Sequence, residues 1–343
     1  MMKARIPAVV LMTFVFASVS FSGIGKYAGE FLSLGVGGRA LGMGGAFVAL
    51  ANDVTAGYWN PAGLAHINYP QLSLMHDERY GNLVNYDYGA VALPVGPTTS
   101  WGFSAIRLGV DDIVDNRNAG LDINGNPTVD PTKVRSYDQS KIKYFNAADW
   151  AFLVTYSKKA SDDFTYGANF KVIRRELGDA SATGLGLDVG VWYTPMENVV
   201  LGANLQDVTT TFLAWNTGTR EQISPTLKIG SAYFIEALGG RFAPALDFDI
   251  RFENRRSAST FNLGAISFDA HVGTEFMFRD VVAFRLGYSD VKQMTFGAGV
   301  HLPKLNIDYS FAHFTGATQL EGTHRISMMF TLEADEFKRV EPD

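Results

Sequence analysis

Four groups of residues have types and spacings that could do chemistry. Gly35-Val36-Gly37-Gly38-Arg39-Ala40 fits the G-x-G-x-x-A pattern of a dinucleotide-binding turn, with Asp53 close to the acidic position that would hold a ribose. Asp122-Ile123-Asn124-Gly125-Asn126, with Asp130 beyond, spaces oxygen ligands as a calcium loop does. Six histidines (His66, His76, His271, His301, His313, His324) could bind a metal. Thirteen charged or titratable residues, Lys171, Asp188, Lys228, Asp247, Asp249, Arg251, Asp269, His271, Glu275, Arg285, His301, Asp308 and Arg325, fall inside otherwise apolar stretches.

The first three groups fail on context. A dinucleotide site needs strands alternating with helices downstream, and this chain supplies only strands. Pro127 stands where a calcium loop needs Gly, and Lys133 where it needs the closing Glu, so an Asn-Gly turn is the reading kept. The histidines lack H-E-x-x-H or any other zinc spacing, and no G-x-S-x-G elbow occurs. There is no Cys, which excludes disulfides and thiolate chemistry. A net charge of −6 argues against nucleic acid as a partner. No enzyme, metal or cofactor is expected.

The fourth group points to the elements that must carry it. From about Tyr69 the hydrophobic period is two. Leu246, Phe248, Ile250 and Phe252 alternate with Asp247, Asp249, Arg251 and Glu253, so one face of the segment is apolar and the other charged. Fourteen such segments follow one another, with cores near 69–77, 83–94, 98–110, 148–158, 163–175, 185–195, 198–208, 225–235, 242–253, 265–278, 281–289, 293–302, 305–314 and 324–332. Most match the roughly 9–11 residues that a tilted strand needs to cross a bilayer. Turns after the even strands are short (Gly96-Pro97-Thr98, Arg279-Asp280, Pro303-Lys304). Links after the odd strands are mostly longer and polar, the longest from about Asp111 to Ala147, with Asp290–Lys292 the exception. Short turns on one rim and long loops on the other mark an outer-membrane barrel. A soluble β-protein would turn the same charged faces to solvent, but fourteen long consecutive strands make a poor sandwich. Tyr86, Tyr88, Trp101, Trp150, Tyr156, Trp192 and Tyr193 are expected in the interfacial girdles.

The expected fold is therefore an all-β, 14-stranded antiparallel transmembrane barrel over 69–332, its thirteen charges lining the lumen as a self-neutralising network or a selective constriction. A barrel of this size leaks or carries a plug. Residues 23–68 are Gly/Ala-rich and nearly uncharged, and they are the segment available as a hatch. Residues 1–22 read as a cleaved signal peptide, with Lys3 and Arg5 before an apolar run and small residues at Ser18-Val19-Ser20. Residues 333–343 form a polar periplasmic tail, where such barrels usually end on an aromatic residue. Asn60 before Pro61 should cap a short helical turn and could bond the wall. Asn52 or Asp53 could cap another.

The stretch from Gly37 to Asp53, with Arg39, Gly44, Gly45 and Asn52, and then Trp59-Asn60-Pro61-Ala62-Gly63, closely resembles the N-terminal signature of PorV/PorQ-like outer-membrane proteins. These belong to the superfamily of the long-chain fatty acid transporter FadL. The resemblance implies a signal peptide, a fourteen-stranded barrel in the bacterial outer membrane and a hatch with an Asn-Pro-Ala motif. It also implies one of two roles. A FadL-like protein would pass a hydrophobic or amphipathic small molecule, for which Phe212, Leu213 and Trp215 are the expected outer-rim contacts. A PorV-like protein would be a scaffold or shuttle for a secreted protein client in type IX secretion, working through its outer loops. Oligomeric state is not legible.

Overall fold

The computed structural model describes residues 29–79, 83–252, 259–315 and 322–340. The signal-peptide expectation falls outside these residues. Fourteen staves form one closed antiparallel barrel: β1 (Gln71–Arg79), β2 (Val84–Val95), β3 (Thr99–Asp115), β4 (Lys143–Lys159), β5 (Phe164–Leu177), β6 (Ala180–Met196), β7 (Val199–Gln206, resuming as Thr211–Trp215), β8 (Arg220–Ile223, Thr226–Tyr233 and Ile235–Ala237), β9 (Gly240–Arg251), β10 (Ile266–Phe278), β11 (Val282–Tyr288), β12 (Gln293–Leu302), β13 (Leu305–Phe314) and β14 (Thr323–Thr331). Each pairs with its sequence neighbour, and β1 closes the barrel by pairing with β14 from Gln71↔Thr331 to Glu78↔His324. No helix among the described residues is long and apolar enough to cross a membrane; the strands do the crossing.

Burial along the strands is inverted relative to a soluble protein. Phe170, Leu187 and Leu286 lie outside and exposed, while Lys171, Asp188 and Arg285 lie inside and buried. Side chains that alternate across a closed sheet can meet lipid on one face only if the other face solvates its own charges.

Several local expectations are corrected. β5 and β6 extend to meet at Gly178-Asp179, so that odd-numbered link is a tight hairpin and not a loop. β3 and β4 likewise run further than expected, to Asp115 and from Lys143. Polar alternation continues past the bilayer, so periodicity cannot mark where lipid ends. Tyr86, Tyr88 and Trp192 are buried inside the barrel, not in a girdle, because their register parity faces them inward; Trp101 and Tyr193 face out. β7 is interrupted at Asp207–Thr210, where both named residues take positive φ, and β8 at Ser224-Pro225. The wall is also uneven: β3, β4 and β6 run 17 residues, whereas β1 and β14 run 9 and β11 runs 7.

The segment before β1 lies within the barrel. It comprises a 3-10 turn (Glu30–Ser33), helix α1 (Gly38–Gly42), helix α2 (Ala56–Trp59) and a second 3-10 turn (Pro61–His66). Val36, Met43, Phe47, Leu50, Val54 and Leu64 are buried, and Trp59 packs edge-on to Phe47 and Tyr58. Small residues let a helical turn and its connections fit inside a sheet only fourteen strands around.

Candidate functional site

The inner segment is seated differently on its two halves. The α2 half meets β3–β7 through uncharged groups. Asn60 accepts from Ala62 N at 3.2 Å and so caps the second 3-10 turn, with Pro61 at its first position. Its amide also donates to Val48 O within the segment and to Val191 O on β6, both at 3.0 Å. Ala62 O accepts from Ser157 Oγ at 2.8 Å and Thr165 Oγ1 at 3.1 Å. Asn169 and Asn204 donate to Gly57 O and Trp59 O. Trp59 Nε1 donates to Val36 O at 2.9 Å, tying the segment to itself. Asp53 Oδ1 accepts from Thr55 N at 2.8 Å and turns the chain into α2; Asn52 instead accepts from Arg39.

Wall glycines make this approach possible. A Cβ at Gly190 would press on Asn60 Oδ1 and lie 2.8 Å from Pro61 Cδ, and one at Gly167 would lie 2.5 Å from the Pro61 carbonyl carbon. Gly44, with φ 67°, passes so close to Tyr288 that a side chain would sit 2.7 Å from its backbone nitrogen. A glycine at an inward position of a strand marks close backbone approach, a signal that the sequence carries. Gly45 also has positive φ and faces His271.

The α1 half meets β9–β14 through charge. Arg39 donates from Nε and Nη2 to Glu275 at 3.0 and 2.9 Å, a bidentate fork, and from Nη1 to Asn52 at 3.0 Å and Asp53 at 3.3 Å. Burial alone would lower the Arg39 pKa; the pairing with Glu275 and Asp53 outweighs it and holds the pKa above its ordinary value. Glu275 also accepts from Arg285 at 2.6 Å, and Arg285 reaches Asp308 at 2.7 Å, with His301 3.7 Å from the same carboxylate. Asp247 receives Phe47 N at 2.6 Å and Val48 N at 2.8 Å. His271 contacts Gly44 O at 2.8 Å, and Thr295 donates to Gly42 O. Beside α1 lies a cavity of about 250 Å³, bordered by Arg39, Asp53, Glu275, His301 and Asp308.

All thirteen charged positions face the interior. Besides the Arg39–Glu275–Arg285–Asp308 chain, Lys171 lies 2.9 Å from both Asp188 and Asp207, Lys228 pairs with Asp249, Arg251 lies 3.8 Å from Asp269, and Arg325 bonds Asp77 at 3.1 Å. Six further charges face inward beyond those that alternation identifies: Asp77, Arg79, Asp149, Arg175, Asp207 and Glu221. In His76-Asp77-Glu78-Arg79 every position is polar, so no alternation separates the faces. Of the three expected outer-rim contacts, Leu213 is buried and Trp215 lies under the Arg175 guanidinium, but Phe212 is exposed on the other face. Adjacent residues of a strand cannot share a face. At Asp122 the carboxylate accepts from Asn124 N and Asn126 N, which closes the turn on itself.

A closed fourteen-strand barrel with charges turned inward and its lumen filled by the chain's own N-terminal segment is the outer-membrane type of β-barrel. The chain belongs to the uncharacterised protein family UPF0164, whose model matches residues 17–188. A UPF0164 protein of Treponema pallidum (strain Nichols) is 35% identical over 156 residues, 45% of this chain; the match spans 35% of that relative's length. Among solved structures the chain is similar to the CymD monoaromatic hydrocarbon channel (TM-score 0.60, 14% identity, 88% of this chain and 98% of that one). It is also similar to the Pseudomonas putida toluene transporter TodX (TM-score 0.57, 12% identity, 90% and 99%) and a Pseudomonas aeruginosa FadL homologue (TM-score 0.52, 12% identity, 85% and 98%). At these identities the likeness is one of fold.

Proposed function

We propose that this protein is a gated conduit of the bacterial outer membrane, exported by a cleaved signal peptide, that passes a hydrophobic or amphipathic small molecule. The observation that carries the reading is the two-sided seat of the inner segment. Its α2 half is held by uncharged hydrogen bonds and close backbone contact, while its α1 half is held largely through charged side chains, the Arg39–Glu275 fork and the Asp247 carboxylate, beside a cavity. Such a segment works as a hatch that yields on the α1 side. The names of the similar structures, a hydrocarbon channel and a toluene transporter, support a hydrophobic cargo. The lining favours one with a polar end. Above the hatch, Leu32, Leu153 and Ile223 border the same small cavity as Lys171, Asp188, Asp207 and Lys228.

Planar-bilayer recording tests this reading. The purified barrel should be nearly silent, and deletion of residues 29–66 should raise its conductance while heat-modifiable migration persists. Liposomes carrying the deleted form should take up toluene and a short-chain alkyl alcohol faster than those carrying the intact chain. Equal conductance and equal uptake would refute the hatch.

A further inference from the structure

The periplasmic rim holds a cationic pocket that the hatch does not use. After β14 the tail turns through a 3-10 helix (Asp335–Phe337) and lays Lys338 and Arg339 against the β2–β3 and β4–β5 turns. Arg339 is buried, and its backbone N–H donates to Asn68 O at 2.8 Å. Its guanidinium donates to Ile67 O at 3.0 and 2.8 Å, Gly96 O at 3.3 Å, Thr99 O at 3.0 Å and Ser100 Oγ at 2.6 Å. Those bonds occupy all its donors, and every acceptor is uncharged, so its positive charge is not neutralised. Next to it a cavity of about 390 Å³ is lined by Lys159, Lys338, Thr98, Ser161 and a single acid, Asp162. Among the described residues neither lysine forms an ion pair. A neighbouring group senses the same field: burial, then Lys159 and Arg339, push the His66 pKa down to about 4.

We propose that this pocket binds one phosphate group, that of a phospholipid headgroup in the periplasmic leaflet. The Lys159 and Lys338 ammonium groups and the Thr98 and Ser161 hydroxyls supply the hydrogen bonds, and Arg339 supplies fixed charge. The depth, rather than the side, points to a lipid: Lys159, the register partner of inward Thr165, stands on the inner edge of the rim, so the headgroup reaches over the turns to meet it. Trp101 and Tyr156, outward on β3 and β4 a few residues above the pocket, pack edge-on with centroids 5.1 Å apart. Aromatic side chains facing out near strand ends settle at the headgroup level. An anion bound here would tie the tail to the turn that also holds Ile67, where the hatch leaves for β1.

The test uses the full chain, delipidated in a non-ionic detergent and titrated calorimetrically with dihexanoyl-phosphatidylglycerol and, separately, with inorganic phosphate. The expected result is one short-chain lipid per barrel. The double variant Lys159→Gln/Lys338→Gln should weaken it about tenfold or more, as two charge-assisted bonds imply, with unchanged heat-modifiable migration. Inorganic phosphate binding as tightly, with the same lysine dependence, would support the phosphate site and assign it to free phosphate. No saturable binding of either probe, or binding indifferent to the double substitution, would overturn the proposal. So would binding seen only after removal of residues 341–343, because Glu341 or Asp343 would then be the occupant.

Discussion

Glu275→Gln should loosen the α1 side of the hatch, whose bonds to Asp247, Thr295 and Ser327 stay in place. The carboxylate receives two bonds from Arg39 and one from Arg285, at 2.6–3.0 Å. The amide keeps one acceptor oxygen and no charge. Arg285 retains Asp308 at 2.7 Å, and Arg39 retains Asn52 and Asp53 within the hatch itself, so the loss falls on the link between hatch and wall. Charge-assisted hydrogen bonds contribute about 1.5–3 kcal/mol each. Removing one bond and weakening the other two costs about 2–4 kcal/mol, which multiplies the released population by roughly 30 to 1,000. Single-channel recording should show frequent openings in Glu275→Gln where the parent chain shows few. The chain has no Cys, so Ala40→Cys, at a buried position on α1, offers a second readout: a membrane-impermeant maleimide added from the periplasmic face should label it faster in the Glu275→Gln background. If Glu275→Gln stays silent while Asn60→Ala opens the barrel, the α2 half is the moving side and the reasoning fails.

Asn60→Ala by itself removes a cap and a wall bond; it should lower the thermal midpoint of hatch protection from protease by an amount equivalent to about 1–3 kcal/mol and leave barrel migration on gels intact. Gly190→Val should expel the Asn60-Pro61 corner, read as new protease cleavage between residues 52 and 66 in a barrel that still runs as folded. His66 adds a pH dependence. Its pKa is about 4 in the folded chain against 6.5 ordinarily, so the unfolded state binds the extra proton first; its contribution, roughly 3 kcal/mol at most, is present above pH 6.5 and is lost as pH falls through 4. Denaturation midpoints of His66→Gln should therefore fall less steeply than those of the parent between pH 6.5 and 4; parallel curves would exclude the buried neutral histidine.

Much of the wall is legible because strict alternation has one meaning once a sheet is closed. Phe164, Tyr166 and Phe170 must face one way, and Thr165, Asn169 and Lys171 the other. What alternation does not carry is depth and partnership. Nothing in Ala180–Thr183 marks that β6 continues beyond the bilayer, and an aromatic near a strand end, such as Trp192, fits a girdle or an interior contact with a tilted His66 ring equally well. Pairing depends on neighbours that lie far apart in sequence: Glu275 is read correctly as inward, but only the folded chain brings Arg39 to it from 236 residues away. Asn60 was legible as a cap, and its bond to Val191 required the register of β6. Arg339 has no sequence signature at all, because its acceptors are backbone carbonyls of two distant turns.

The seam between β1 and β14 joins the first stave made to the last. Gly38 N donates to Ser327 Oγ on β14 at 2.8 Å across 289 residues, and Thr295 to Gly42 O across 253. Contacts of that span form late, since the entropy of closing so long a loop must be overcome before they contribute anything. The α2 seat, on β3–β7, can exist before β8–β14 have folded, whereas the α1 seat is completed only as the ring shuts. That order of closure would leave the inner segment docked at one end before the final strand closes around it. A chain that stalls before β14 would hold a half-seated hatch and an open sheet edge, and that edge is the substrate that quality-control proteases should recognise.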